Sequence, residues 1–162
     1  MKKTTLLFTL FFGTIISFGQ YNFTKSTGTY SDLSGATVLT GGLTWDDPQL
    51  TVPVGFNFQY FDSTINKVYI EDYGLGGFIS IDNSESGVIP TLIAYGSDII
   101  DRGYDFTSGS GSTGGLSPIS YQLSGFAGSR ILKIEWKNVG FYSDIDDNNI
   151  STDYVNFQLW LY

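Results

Sequence analysis

The last third of the chain carries the clearest hydrophobic pattern in the sequence. Between residues 130 and 142, Leu132, Ile134 and Trp136 alternate with charged residues. Between residues 154 and 162, every second position is again apolar, namely Val155, Phe157, Leu159 and Leu161. A period of two is typical of a β-strand with one buried face. The two stretches therefore predict an antiparallel hairpin whose apolar face needs a second sheet to cover it.

The rest of the chain continues this alternation of strands and turns. Further β-prone runs cover residues 50–61, 67–72, 78–81 and 117–123, with glycine, proline, serine and asparagine between them. The segment 108–115 has the glycine and serine content of an exposed, flexible loop. Nine or ten strands and no helical periodicity predict an all-β fold. We expect an antiparallel two-sheet β-sandwich, jelly-roll-like, with a closed β-barrel as the alternative.

The N-terminal residues 1–19 have the pattern of a secretory signal peptide. Lys2 and Lys3 precede an apolar run over residues 6–18, and Gly19 supplies a small residue at the cleavage site. The apolar run is shorter than the roughly 18 residues that a membrane-spanning helix needs. We therefore expect an exported protein, secreted or held at the outer cell surface, with a single β-sandwich domain over residues 20–162.

Composition narrows the chemistry of this domain. The sequence contains no cysteine and no histidine, which removes thiol nucleophiles, imidazole bases, disulfides and the usual zinc ligands. Its net charge is −8, and loss of the two leader lysines leaves 6 basic and 16 acidic residues, a net charge of −10. Such a charge disfavours nucleic acid and anionic lipid as partners. We expect no enzyme, no nucleic-acid partner and no membrane insertion after the leader is removed.

Four motifs carry a resemblance to a known family. They are Pro53-Val-Gly-Phe-Asn-Phe58, Gly76-Gly-Phe-Ile-Ser80, Ser117-Pro-Ile-Ser-Tyr-Gln122 and Ile134-Glu-Trp-Lys-Asn-Val-Gly-Phe141. They resemble the N-terminal β domain of secreted Bacteroidetes proteins that usually carry a C-terminal type IX secretion sorting domain. The resemblance implies an extracellular β module and supplies no catalytic residues. Since Tyr162 lies inside a predicted strand and no sorting domain follows, we expect either a C-terminally truncated chain or a different export route.

The acidic stretch between the two strands of the hairpin is a candidate calcium loop. Asp144, Asp146 and Asn148 occupy its first, third and fifth positions, where oxygen ligands of a calcium loop stand. Asn149 replaces the glycine expected at the sixth position, and Val155 replaces the glutamate expected at the twelfth. The alternative is a solvated hairpin loop, because aspartate and asparagine favour turns. No other cofactor is expected.

Trp45, Asp46 and Asp47 form a second candidate site, a corner that could bind a sugar. An indole ring offers a flat apolar surface to a sugar ring, and carboxylates accept hydrogen bonds from hydroxyls. The alternative is that Trp45 closes one end of the core, because most tryptophans are largely buried.

Two weaker hypotheses concern carboxylates on strands and a hydroxyl in a turn. Glu71, Asp72 and Glu135 are the acids that a small glycosidase would need, a function that requires two carboxylates across a cleft. The alternative is that they face solvent from their strands. Ser63, in the turn Asp62-Ser63-Thr64, matches a short O-glycosylation motif of Bacteroidetes.

Together these features predict a non-catalytic secreted or cell-surface β-sandwich module that serves adhesion, interaction or display. The alternative is a carbohydrate-binding module, assisted by calcium or not, and a small glycosidase comes third. An extracellular glycan or protein is the expected partner.

Overall fold

The computed structural model describes residues 23–70, 76–81, 91–147 and 152–162. The predicted signal peptide and the residues Glu71, Asp72 and Asn148 lie outside these ranges. In the described part of the chain, almost all regular structure is β, as the alternation predicted.

The strands form two antiparallel sheets. The first sheet contains β1 (Thr37–Val38), β6 (Ile99–Ile100), β7 (Ile119–Ser124), β8 (Ile131–Phe141) and β9 (Val155–Leu161). The second contains β2 (Leu50–Tyr60), β3 (Ser63–Ile70), β4 (Phe78–Ser80) and β5 (Thr91–Ile93) in that order. One short helix, α1 (Tyr142–Asp146), follows β8. The sheets do not close on each other, so the predicted sandwich is confirmed and the barrel alternative is wrong.

The core lies between the two sheets and is built from alternate positions of their strands. In the second sheet, Val52 and Val54 of β2 and Val68 of β3 are fully buried. From the first sheet, the side chains of Leu132, Ile134 and Trp136 are fully buried as well. Each side chain of this kind contributes about 1.5–3 kcal/mol when it leaves water. The inward face is therefore the one that the period-two pattern of the closing hairpin predicted.

The hairpin of β8 and β9 pairs as the sequence pattern requires. Ile134 stands opposite Leu159 and Trp136 stands opposite Phe157, so the apolar residues of both strands share one face. The register shifts between Trp136 and Val139, where Asn138 takes a positive φ of 58°. An extra residue in one strand bends that strand and increases its twist. Beyond this bulge, β8 pairs with β6.

The outward face of β8 is covered by an irregular N-terminal segment, residues 30–34, which we call the N-terminal strap. Glu135 was expected to face solvent, but it is only 3% exposed because the strap crosses it. Its carboxylate accepts hydrogen bonds from the Tyr30 hydroxyl at 2.8 Å, the Leu33 N–H at 3.0 Å and the Gln158 side chain at 2.6 Å. The expectation for Glu135 was therefore wrong, because a strand pattern does not show what packs over its polar face.

The glycine-rich segment 108–115 is held by hydrogen bonds, contrary to the flexible loop that its composition predicted. The Thr44 N–H donates to the Ser112 carbonyl at 2.8 Å, and the Gly111 N–H donates to the Thr44 carbonyl at 2.8 Å. The Thr44 hydroxyl donates to the Gly109 carbonyl at 3.0 Å. The loop thus packs against the residues that precede β2.

Within the described ranges, no helix has the length and apolarity that crossing a membrane requires.

Candidate functional site

Three carboxylates meet at one end of the sandwich. Asp46 pairs with Ile100 through an isolated antiparallel bridge, and Asp98 immediately precedes β6. This pairing brings Asp46 and Asp47 beside Asp98, with one carboxylate oxygen from each lying within 4.8 Å of the others. All three residues are partly buried. We call this group the acidic triad.

Partial burial raises the pKa of two members of the acidic triad, Asp46 and Asp98. Burial, and then the charges of Asp47 and Asp98, raise the pKa of Asp46 to about 6. Burial also raises the pKa of Asp98 above its usual range. Carboxylates are ligands that Ca²⁺ takes, but that ion takes six to eight oxygens, so three carboxylates would supply only part of a coordination shell. Without a cation, neighbouring carboxylates of such a group can share a proton.

Asp46→Asn is expected to stabilise the protein at pH 7 but not at pH 4. The pKa of Asp46 is raised on folding. Its contribution to the free energy of folding is therefore fully present below the unfolded pKa of 3.8 and is lost as the pH rises through about 6. After allowance for the solvent around this half-exposed group, the gain at pH 7 is about 1 kcal/mol. Thermal unfolding of both proteins at several pH values from 4 to 7 measures the difference.

A control of opposite sign is Asp105→Asn. The Thr107 N–H and hydroxyl lower the pKa of Asp105, so its charged form favours the fold and the substitution should matter more at pH 7 than at pH 4. If the melting temperatures of Asp46→Asn and wild type differed equally at every pH, the electrostatic account of the acidic triad would be wrong.

The sequence pointed to two members of the acidic triad and missed the third. Asp46 and Asp47 were singled out beside Trp45, whereas Asp98 lies about fifty residues later and joins them only through the pairing with β6. No short motif in the sequence encodes that pairing. The carboxylates nevertheless lie in partly buried positions at the end of the core, as residues next to a capping tryptophan would.

Trp45 lies in the core and offers no face to a sugar. Its side chain is 4% exposed, and its indole N–H donates to the Ser117 carbonyl at 2.6 Å. Stacking of a sugar requires an open ring surface, so the sugar-binding corner predicted for Trp45 is wrong in its central residue. The alternative, that Trp45 closes the end of the core, describes its position.

The hypothesis of a calcium loop does not fit the local backbone. Asp144 and Asp146 belong to α1, and Asn148 lies outside the described residues. Residues two apart on a helix point about 200° apart around its axis, so these two carboxylates do not converge. The correction follows from helix formation where the sequence indicated an extended loop.

The remaining predicted positions fall in three different settings. Ser63 is exposed as the first residue of β3, at the tip of the β2–β3 hairpin, where its hydroxyl is accessible. Glu135 is buried under the N-terminal strap, where it cannot line an open catalytic cleft. Glu71 and Asp72 lie outside the described residues, so the structure does not test them as a glycosidase pair.

A concave surface lies at the opposite end of β7 from the glycine-rich loop. It is lined by residues 55–59 of β2, residues 127–131 around the β7–β8 turn, and Tyr162, and it encloses about 1070 Å³. We call it the terminal groove. β2 extends past this turn, so Phe56 and Phe58 are only partly covered by the core. Its volume is of the order of known ligand pockets.

The terminal groove combines aromatic rings with a cation. Phe56 and Phe58 meet edge to face with centroids 6.4 Å apart. Arg130 donates to the Gly55 carbonyl at 2.6 Å, and it carries the one charged side chain among the described residues of the lining. Tyr162 stands at the rim, 71% exposed.

A second exposed ring continues this surface outside the groove. Trp160 is 42% exposed, and its ring centroid lies 6.3 Å from that of Tyr162. The Lys133 ammonium lies 4.0 Å from the centre of the Trp160 ring. The structure shows Trp160 on the surface, with Lys133 packed against it.

Comparison with known proteins gives one match. A family model described as NIDO related matches residues 20–162. No curated protein and no solved structure matches the chain.

Proposed function

The chain belongs to the NIDO-related family over residues 20–162, and from that premise we propose that it is a non-catalytic binding module that acts outside the cell. The family suggests an extracellular-type β module. The finer assignment, that this module serves adhesion or interaction, rests on the terminal groove. The exposed aromatic rings of Tyr162 at its rim and of Trp160 beside it favour binding over passive display.

Export by the predicted signal peptide is part of this proposal. The family match begins at residue 20, the first residue after the predicted leader. Secretion or attachment at the outer cell surface fits the resemblance to secreted Bacteroidetes β domains. Isolation of the native protein and sequencing of its N-terminus test the point: a mature chain beginning near Gln20 supports export, whereas an intact Met1 in an intracellular fraction contradicts it.

Exposed aromatic side chains beside the terminal groove are the observation that carries a binding role. Monomeric proteins seldom expose contiguous aromatic surface unless it contacts a partner. Aromatic rings that are partly buried on one side and open on the other are also enriched at binding surfaces. The terminal groove has this character at Phe56, Phe58 and Tyr162.

Filling the terminal groove is expected to abolish binding without unfolding the domain. Ala127 is exposed in the lining, so Ala127→Trp places an indole in the groove and removes no core contact. Wild type and variant are applied to an array with two halves, one of glycans and one of extracellular proteins. We expect saturable binding by wild type in one half and a loss of at least tenfold with the variant.

Thr107→Trp is the matched control, because Thr107 is exposed on the loop before β7, at the other end of that strand. It adds the same ring and should bind as wild type does. Wild-type protein that bound nothing in either half, or that converted a glycan or ester substrate, would refute the proposed function.

A further inference from the structure

We infer that the terminal groove, together with Trp160, binds a glycan in which neutral sugar rings are interspersed with single carboxylates. This inference rests on the proposed function and names the ligand of the same surface. Three features carry it: the spacing of the open rings, the charge of the lining and the size of the groove.

The aromatic residues form two pairs, Phe56 with Phe58 in the groove and Tyr162 with Trp160 at and beyond its rim. Phe56 and Phe58 lie in the groove, Tyr162 stands at the rim, and Trp160 lies beyond it, 6.3 Å from Tyr162 between ring centres. Residues two apart on a strand project from the same face about 6.6 Å apart. Sugar rings have apolar faces that stack on such rings, and successive rings of a chain would contact successive aromatics.

The charged side chains next to these rings, Arg130 and Lys133, are opposite in sign to the net charge of the chain. The protein has a net charge of −8, yet the described residues of the lining include one arginine and no acidic side chain. Lys133, packed on Trp160, adds a second cation near the rim. Arg130 uses one of its five N–H donors on the Gly55 carbonyl. The planar guanidinium matches a carboxylate in geometry and pairs with it strongly.

The same charges argue against a more densely charged ligand. A nucleic acid carries one charge per about 1.7 Å of duplex, and its binding requires the neutralisation of several phosphates. Two cations on a chain of this net charge cannot supply that. Isolated carboxylates need one local contact each, and the repulsion from the rest of the protein is screened beyond about 10 Å at ordinary salt. The cavity of about 1070 Å³ is large enough for a short oligosaccharide.

The test compares acidic oligosaccharides with their own neutral esters. Uronic-acid and sialic-acid oligosaccharides and the methyl ester of each are titrated by calorimetry into wild-type protein. We expect at least one acid to bind at least tenfold more tightly than its ester, with the difference shrinking as salt is added. Arg130→Met should bring acid and ester to equal affinity, whereas Arg130→Lys should retain part of the difference.

Two further variants separate charge from stacking. Lys25→Met removes one positive charge from an exposed position on the N-terminal segment and should leave the acid preference intact. Trp160→Ala should weaken acid and ester alike, because it removes a stacking surface and no charge.

Outcomes that overturn the inference are distinct from those that overturn the proposed function. Equal affinity for acid and ester, no effect of Arg130→Met, or binding confined to the protein half of the array rejects the acidic glycan. In each of these cases binding that Ala127→Trp abolishes leaves the proposed function standing. Absence of binding in both halves rejects both.

Discussion

Replacing Trp136 by alanine is expected to lower the free energy of unfolding by about 3–5 kcal/mol, the range for deletion of a buried aromatic side chain. The Trp136 side chain is fully buried. Its ring stacks on Phe157 with centroids 4.8 Å apart and planes inclined by 12°. The indole N–H donates to the Gly76 carbonyl at 3.0 Å. The substitution therefore leaves both a cavity and a buried carbonyl without its donor, and denaturant unfolding measures the combined cost.

Trp160→Ala is the matched control for this prediction. It removes the same side chain from the outward face of the adjacent strand, where Trp160 is 42% exposed and contacts Lys133. The lost packing there costs about 1 kcal/mol or less. If both substitutions destabilised the protein equally, Trp136 would not be the centre of the core.

Asp101→Ala is expected to have the second largest effect, about 3 kcal/mol or more. Asp101 is fully buried and lies directly after β6. Its carboxylate accepts the N–H groups of Gly103 at 2.6 Å, Leu116 at 3.0 Å and Ser117 at 2.8 Å. Alanine leaves all three donors without this acceptor. The Ser117 N–H is buried and the other two are partly buried, and each such loss costs up to about 1–3 kcal/mol before the structure relaxes. Denaturant unfolding gives the total.

Two companion substitutions separate the hydrogen bonds from the charge. Asp101→Asn keeps one carbonyl oxygen as an acceptor and should fall between wild type and alanine. Asp105→Ala removes a carboxylate that also accepts a backbone N–H, that of Thr107 at 2.8 Å, but in an exposed loop where water replaces it. Its effect should be much smaller. An alanine at residue 101 that proved no worse than one at residue 105 would contradict the anchoring role of Asp101.

The sandwich could be predicted because the alternation of apolar residues in the closing hairpin shows which face of each strand is buried. Alternation at Leu132, Ile134 and Trp136 can be satisfied only by a strand with one buried face, and the structure places all three in the core. The same pattern in β9 then fixes the register, since a shift by one residue would expose every apolar side chain. The buried face and the register both follow from the alternation of neighbouring residues, so both could be predicted from the sequence.

The predictions for Glu135, Asp144 and Asp146 were wrong because the sequence pattern does not show the structure that forms around these residues. Glu135 occupies a polar position of β8, and only the docking of residues about one hundred positions earlier buries it. The acidic residues Asp144 and Asp146 have turn-forming character, yet the chain continues from β8 directly into α1. Neither the covering segment nor the helical turn leaves a periodic pattern in the sequence.

The candidate site could be predicted only in part for the same reason. Asp46 and Asp47 were recognised because they are adjacent in the chain, whereas Asp98 reaches them through tertiary pairing alone. The terminal groove depends on how far β2 extends past the β7–β8 turn. No sequence motif marks Phe56 or Arg130, and only the tertiary structure brings them into the lining of one groove.

The N-terminal strap has a consequence for the order in which this protein can fold. Tyr30 and Ser31 are held by Glu135 and Gln158, partners that lie 105 and 127 residues further along the chain. Loops of this length form slowly, because the entropy of closing them is spent before the contacts form. The N-terminal strap can therefore dock only after β8 and β9 have formed. Before the strap docks, the outward face of β8 is exposed to water. The Glu135 carboxylate, which is buried in the folded protein, is then solvated.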